Sequence, residues 1–297
     1  MPRQSKKFAP FGTVTVAPLA GSPWKDGEFV PDTARLAALL SVVAKGKDSW
    51  IEQTAGAVGT ALDIYGAGEL RRAGWERNAV WPLPNDPRVL PADIADALDS
   101  LRRDEDRDTV AVRRVLERAG STQANVIGEF FTKQIDILVS SWDRGPEVMI
   151  STKSQLSSWG KNLPNRQEEA VGDIANLRGR FPMAAMGMLY MVDHRIVTKE
   201  PGSWTALCDL LRKIRLVSTS GRPAYDASAL VMAEAVRLGE ARLVGGVPED
   251  LSLARFWRDL VNTALVRQPA NERVTARQFW RAGQKAGVEA PEQVIQA

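Results

Sequence analysis

A single histidine, His194, and a single cysteine, Cys208, occur in the 297 residues of the chain. This scarcity excludes an internal disulfide and any zinc cluster built from His and Cys, and it leaves a Ser-His-Asp triad open only if His194 serves it. A metal ion is therefore expected to be held by oxygen. Cys208 falls in the apolar pattern of "WTALCDLLRKI" and reads as a packing thiol. There is no GxGxxG, no Walker sequence and no repeat of fixed period, which removes the usual nucleotide-binding and solenoid readings. No stretch approaches the ~18 uninterrupted apolar residues of a membrane span, and "MPRQSKKFAPFG" lacks the apolar core of a signal peptide. The expectation is a cytoplasmic protein, neither exported nor inserted. An excess of one charge is missing too, since 39 Lys and Arg stand against 36 Asp and Glu, a net of +3. That balance permits nucleic-acid binding without establishing it.

What is present is apolar material, 44% of residues against 25% charged, enough for one large core or a core with a helical lobe. Residues 1–120 read as mainly helical after a short strand in "TVTVAP". Asp32 to Val43 carries an N-cap and apolar spacing, and Trp50 to Leu70 reads as a glycine-interrupted helix. "WPLPNDPRVLP", with four prolines, breaks the chain before two further helices, "ADIADALDSLRR" and "TVAVRRVLERAG". The charge run "RRDEDRD" reads as a solvated helix end. A boundary is placed near Gly120, giving regions 1–120 and 121–297.

From Ser121 the pattern changes. "STQANVIGEFFTKQ" has a Ser/Thr cap and a stripe of Val126, Ile127, Phe130 and Phe131 that predicts a helix. "IDILVSS" and "EVMISTK" flank the turn "WDRGP" and predict an antiparallel hairpin over 135–153. "NRQEEAVGDIANLRGR" predicts a helix and "PMAAMGMLYMV" a central strand covered on both faces. "SWTALCDLLRKI" reads as a further helix, and "ASALVMAEAV" as strand or helix. The fold class is α/β, a mixed sheet with a helical N-terminal lobe.

Alternation on the hairpin puts Ser151 and Lys153 on one face and Thr152 on the other, while Asp136 opposes Ile135 and Ile137. Pairing the apolar faces brings Asp136 opposite residues 151 to 153, beside Lys153. Glu168 and Glu169 follow fifteen and sixteen residues after that lysine. Each of these residues alone is more often a solvated charge. Their order and spacing carry the weight. Trp142 and Trp159 read as core or rim packing, and His194 as a strand-end histidine with an ordinary hydrogen bond.

A helix with Glu129, then "IDILV", a turn, "VMISTK" and a second helix resembles the core of the PD-(D/E)xK nuclease superfamily over roughly residues 121–195. That pattern ends its second strand in Glu-x-Lys, and this chain reads Ser151-Thr152-Lys153. In this it is similar to the CCGG-reading subgroup of restriction endonucleases, which has Ser-x-Lys and takes the missing carboxylate from the following helix. The resemblance implies a Mg2+-dependent type II restriction endonuclease acting on double-stranded DNA as a homodimer. Asp136 and Glu168 would be metal ligands, with Glu169 the alternative. Lys153 would be the catalytic ammonium, Ser151 the vacated slot and Glu129 a supporting carboxylate. Glu168 is preferred because it precedes Val171 and Ile174 by helical steps. Lys161, Asn165 and Arg166 lie where such enzymes read the groove, and Arg178 and Arg180 are placed as phosphate contacts. The alternatives are a repair or mobile-element nuclease on the same core and a DNA-binding protein that has lost catalysis.

Overall fold

The computed structural model describes residues 7–51, 56–83, 96–97, 100–101, 108–112, 123–141, 143–216, 221 and 223–284. The chain starts with a helical turn α1 (Gly12–Thr15) and a small hairpin, β1 (Trp24–Lys25) with β2 (Glu28–Phe29). Helix α2 (Thr33–Val42) leads to a second hairpin, β3 (Ala44–Gly46) with β4 (Ser49–Trp50). Helix α3 (Ala57–Arg72) precedes β5 (Val80–Trp81). Next come a hairpin, β6 (Asn125–Ile127) with β7 (Thr132–Gln134), then β8 (Ile137–Ser141) and β9 (Gly145–Gln155). Helix α4 (Trp159–Arg180) crosses to β10 (Ala185–Asp193), and α5 (Ile196–Lys199) and α6 (Pro201–Lys213) return to β11 (Ala227–Arg237) and β12 (Glu240–Leu243). Helices α7 (Leu253–Arg267) and α8 (Val274–Gly283) end the described chain.

The main sheet has six strands in the order β12-β11-β10-β9-β8-β5. Strand β10 runs parallel to both β9 and β11 and is buried along its whole length, which explains its unbroken apolar run. Strands β8 and β9 pair antiparallel with Ile137 opposite Ile150 and Val139 opposite Val148. The expected α/β class, the 135–153 hairpin and the central strand are all present. "ASALVMAEAV" is strand β11. Cys208 is buried, as expected of a packing thiol.

Asp32 caps α2 by accepting the Arg35 N–H at 2.9 Å, and Leu36, Leu39 and Leu40 form its buried stripe. The described part of the N-terminal third does not stand apart from the sheet. Strand β5 is one of its edges, and α3 packs on β8 and β9. Gly66 makes that approach possible, since a Cβ there would collide with the Ile137 side chain.

Three local expectations are corrected. "TVTVAP" forms helical turn α1 rather than a strand, entered through a 3-10 turn at Ala9–Phe11 that carries Pro10. Trp50 belongs to β4, and the helix expected from it begins only at Ala57, after Gly56 in a left-handed conformation. The stretch around Glu129 is the β6–β7 hairpin, not a helix. Of its expected apolar stripe only Val126 is buried, with Ile127, Phe130 and Phe131 exposed. The side chain that settles the matter comes from α4. Asn176, fully buried, accepts the Phe130 and Phe131 N–H groups at 2.8 and 3.0 Å and donates to the Phe131 carbonyl at 3.0 Å. The proline-rich breaker beyond Leu83, the two helices after it, the charge run, the boundary near Gly120 and Trp142 lie wholly or mostly outside the described residues.

Candidate active site

The hairpin register continues one residue below Ile137, so Asp136 meets Ser151. There the Thr152 N–H donates to Asp136 Oδ2 at 2.9 Å. Asp136, Ser151 and Lys153 look to the α4 side of the sheet, and Thr152 looks to α3. Burial pushes the Asp136 carboxyl up, against the Thr152 N–H and the charges of Lys153, Lys7 and Lys133.

Across from Lys153 stands Glu169, with Nζ and Oε1 2.6 Å apart. Arg166 reaches the other oxygen of Glu169 at 2.9 Å. Lys133, on β7, lies 3.6 Å from Glu169 and 2.7 Å from Asp173. Burial works against the Glu169 charge, but Lys153, Arg166 and Lys133 overcome it and hold the carboxyl down at about 2. Glu168 is exposed. The preference for Glu168 is therefore corrected: the buried face of α4 is Ala170, Asp173, Ile174, Asn176 and Leu177, and Val171, used to set the helix phase, is 43% exposed. Glu169 and Asp173, four residues apart, share that face.

On the opposite side, Thr152 Oγ1 donates to Asp63 Oδ1 at 2.6 Å, and Lys7 pairs with Oδ2 at 3.0 Å. Burial and then the neighbouring Asp136 push the Asp63 carboxyl up to about 7. Four carboxylates and three lysines thus surround the end of one hairpin. Ser151 Oγ is buried there without a hydrogen-bond partner. It lines a cavity of about 20 Å³ with Asp136, Lys133, Asp173 and Tyr225, room for about one water.

The remaining expected residues fall elsewhere. Glu129 sits on the tip of the β6–β7 hairpin with its carboxylate against Gly179, so the helix carboxylate near the hairpin is Asp63 of α3. Lys161 and Asn165 are exposed on the first turns of α4, while Arg166 is tied to Glu169. Arg178 points inward, donating to Asp226 at 2.7 Å and to the carbonyls of Pro182, Ala184 and Ala224. It is an internal tie, not a surface phosphate contact. Arg180 is exposed, its guanidinium 5.8 Å from the Phe181 ring centroid. Trp159 is buried and donates to the Gln155 carbonyl at 3.0 Å.

Asp63, Lys133 and Asp173 were not singled out from sequence. Asp173 had a signal, its four-residue spacing from Glu169. Asp63 had a weaker one, a carboxylate in the middle of a helix whose neighbours are nearly all buried. Lys133 had none, because its segment reads as a helix.

Among the described residues, one trio of His, Asp and Glu brings its ligand atoms within 4.8 Å of one another: Asp48, His194 and Glu234. Glu234 there is already paired with Arg242 at 2.6 Å. The Asp136 cluster is wider, with ammonium groups between its carboxylates. Among the described residues, no helix is long and apolar enough to cross a membrane.

The chain matches no protein-family model, no curated protein and no solved structure.

Proposed function

We propose that the chain is a Mg2+-dependent endonuclease of double-stranded DNA, a restriction enzyme of type II built on the PD-(D/E)xK plan and acting as a homodimer. One observation carries the reading. At the end of an antiparallel hairpin, Asp136 shares a face with Lys153, which is bonded to a carboxylate, Glu169, from the helix that follows.

The residues fit a hard divalent cation. Asp136, Glu169 and Asp173 would supply oxygen ligands, and Ser151 Oγ is buried and unpartnered beside them; burial raises the Asp63, Asp136 and Asp173 carboxyls, a cost of their charge that a bound cation would offset. Asp136 and Glu169, with Asp173 beside them, would hold the ion. When bound it would polarise a phosphoryl oxygen and acidify water. Lys153 donates N–H groups to the scissile phosphate and offsets the charge that grows there as water attacks. Lys133 holds Asp173 and stands within reach of Glu169, keeping the helix carboxylates aimed at the strand. Ser151, smaller than glutamate, leaves the place on β9 that Glu169 fills from α4. Two copies related by a twofold axis would cut the two strands of a palindrome.

Purified protein incubated with plasmid DNA and Mg2+ tests the reading. Discrete bands are expected. A smear would assign a nonspecific repair or mobile-element nuclease, and uncut DNA with a gel shift would assign a DNA-binding protein without catalysis. The last outcome is the second reading, and the serine at position 151 favours it. DNA neither cut nor bound overturns both.

A further inference from the structure

Three segments far apart in the chain meet at the carboxyl end of β10. Asp48 occupies the turn between β3 and β4, His194 follows the last residue of β10, and Glu234 lies in β11. Backbone hydrogen bonds fix the meeting. The Asp48 N–H donates to the Ala235 carbonyl at 2.8 Å and the His194 N–H to the Ala233 carbonyl at 2.9 Å, so both residues hang from the neighbours of Glu234. One ligand atom from each side chain lies within 4.8 Å of the other two, and all three residues are half-buried.

The imidazole is uncommitted. Its Nδ1 is buried without a hydrogen-bond partner. Asp193 Oδ1 stands 3.5 Å from it, beyond the ~2.7–3.2 Å of such a bond, and is already taken by Arg195 at 2.7 Å. The competing cations leave room as well. Arg242 holds Glu234 through Oε2, which leaves Oε1, and the Arg242 side chain is 69% exposed. An ion pair that open to water contributes little and yields readily. Arg195, whose charge also faces Asp48, keeps its guanidinium on Asp193 through Nε and Nη2.

We propose that Asp48, His194 and Glu234 bind a zinc-class divalent cation. One imidazole with two carboxylates suits a borderline ion, whereas Mg2+ prefers an octahedral set of oxygens. Zinc bonds of about 2.0–2.2 Å at tetrahedral angles place ligand atoms about 3.3–3.6 Å apart, a closure that rotation of these half-buried side chains supplies. Water completes the fourth position. Because the three ligands come from the N-terminal third and from two strands of the main sheet, the ion staples the β3–β4 hairpin to β10 and β11. It binds only where the fold has assembled, so it stabilises the folded chain by mass action. The site stands without the nuclease reading, since none of its residues belongs to the Asp136 cluster.

The test titrates the full-length protein, stripped with EDTA and exchanged into buffer with excess MgCl2, with ZnCl2 by calorimetry and by thermal melting. Wild type, Asp48→Asn, His194→Gln and Glu169→Gln are compared. Wild type is expected to bind Zn2+ and to melt higher as zinc is added. Asp48→Asn and His194→Gln are expected to weaken that binding by about a hundredfold or more and to lose the rise, since even the residues that support metal ligands are worth about 10–100-fold. Asp48 lies in a turn at φ +55°, a conformation asparagine also adopts, so its variant keeps the test valid if His194→Gln fails to fold. Glu169→Gln is expected to bind zinc as wild type does. A wild type that binds no zinc, or wild-type affinity in Asp48→Asn, overturns the proposal. Loss in Glu169→Gln alone also overturns it and places the zinc in the Asp136 cluster. DNA cleavage has no part in these readouts, so the site and the nuclease reading stand or fall separately.

Discussion

Lys153 of β9 and Glu169 of α4 meet at 2.6 Å, sixteen residues apart in the chain, and their contact spans the gap between the sheet and the helix that covers it. The same glutamate also takes Arg166 and lies near Lys133, so one carboxylate gathers three cations. On the proposed reading a metal ion joins this set, and Glu169 is the residue whose loss is felt most.

Glu169→Gln is expected to lower plasmid cleavage by on the order of a hundredfold or more, the scale of a misplaced reacting group. Glu168→Gln is expected to cut within about twofold of wild type, since adjacent helix positions point about 100° apart. Cleavage rates at saturating Mg2+ decide it. A dead Glu168 variant beside an active Glu169 variant would reverse the assignment.

Lys153→Ala should remove cleavage and leave duplex binding nearly intact, because one ammonium at the reacting phosphate matters more to the transition state than to the sum of backbone contacts. Parallel measurement of cleavage and anisotropy separates the two. An equal fall in both would make Lys153 a binding or structural residue.

Asp63 titrates at about 7 in the folded protein, above its ordinary value. The folded state therefore holds a proton that the unfolded chain releases between about pH 4 and 7, and stability from this group declines as pH rises through that window. Above it the buried charge is a standing penalty. Asp63→Asn is expected to raise the melting temperature at pH 8 by more than at pH 5, by roughly 2–4 °C for each kcal/mol relieved. Thermal melts at the two pH values check this. An equal shift at both would show that Asp63 is charged throughout, held by Lys7 and Thr152.

Asn176→Ala should cost about 1–3 kcal/mol, because it leaves the Phe130 and Phe131 N–H groups and the Phe131 carbonyl without their side-chain partner. The urea midpoint is expected to fall, and proteolysis at the β6–β7 tip to quicken. An unchanged midpoint would mean that water replaces the amide at no cost.

Much of the core was legible because its strands repeat at period two and its helix caps are local. The β8–β9 register follows from matching apolar faces, and that match alone brings Asp136 beside Ser151 and Lys153. The β6–β7 hairpin was hidden because Val126, Ile127, Phe130 and Phe131 imitate a helical stripe, while the deciding partner, Asn176, is remote in sequence. The phase of α4 was misread for a related reason. Its buried face includes Asp173 and Asn176, polar residues that break the apolar periodicity, while the exposed Val171 simulates it. Asp63 carries only a weak signal, a carboxylate within a buried helix, because its tie to the hairpin, through Thr152, forms only in the folded chain.

The sheet joins distant parts of the chain. Strand β5 pairs with β8, the Asp48 N–H donates to the Ala235 carbonyl, and Trp257 donates to the Tyr65 hydroxyl at 3.3 Å. Such nonlocal pairings form slowly, since long loops must close before contacts reward them. The candidate site draws on residues from Lys7 to Asp173, yet β10, which pairs with the site-bearing β9, is flanked on its other side by β11, which ends at Arg237, and α3 is braced by Trp257. We therefore expect the centre to stay unassembled on the ribosome until the chain through α7 has emerged, so that any cutting activity arises only after that point.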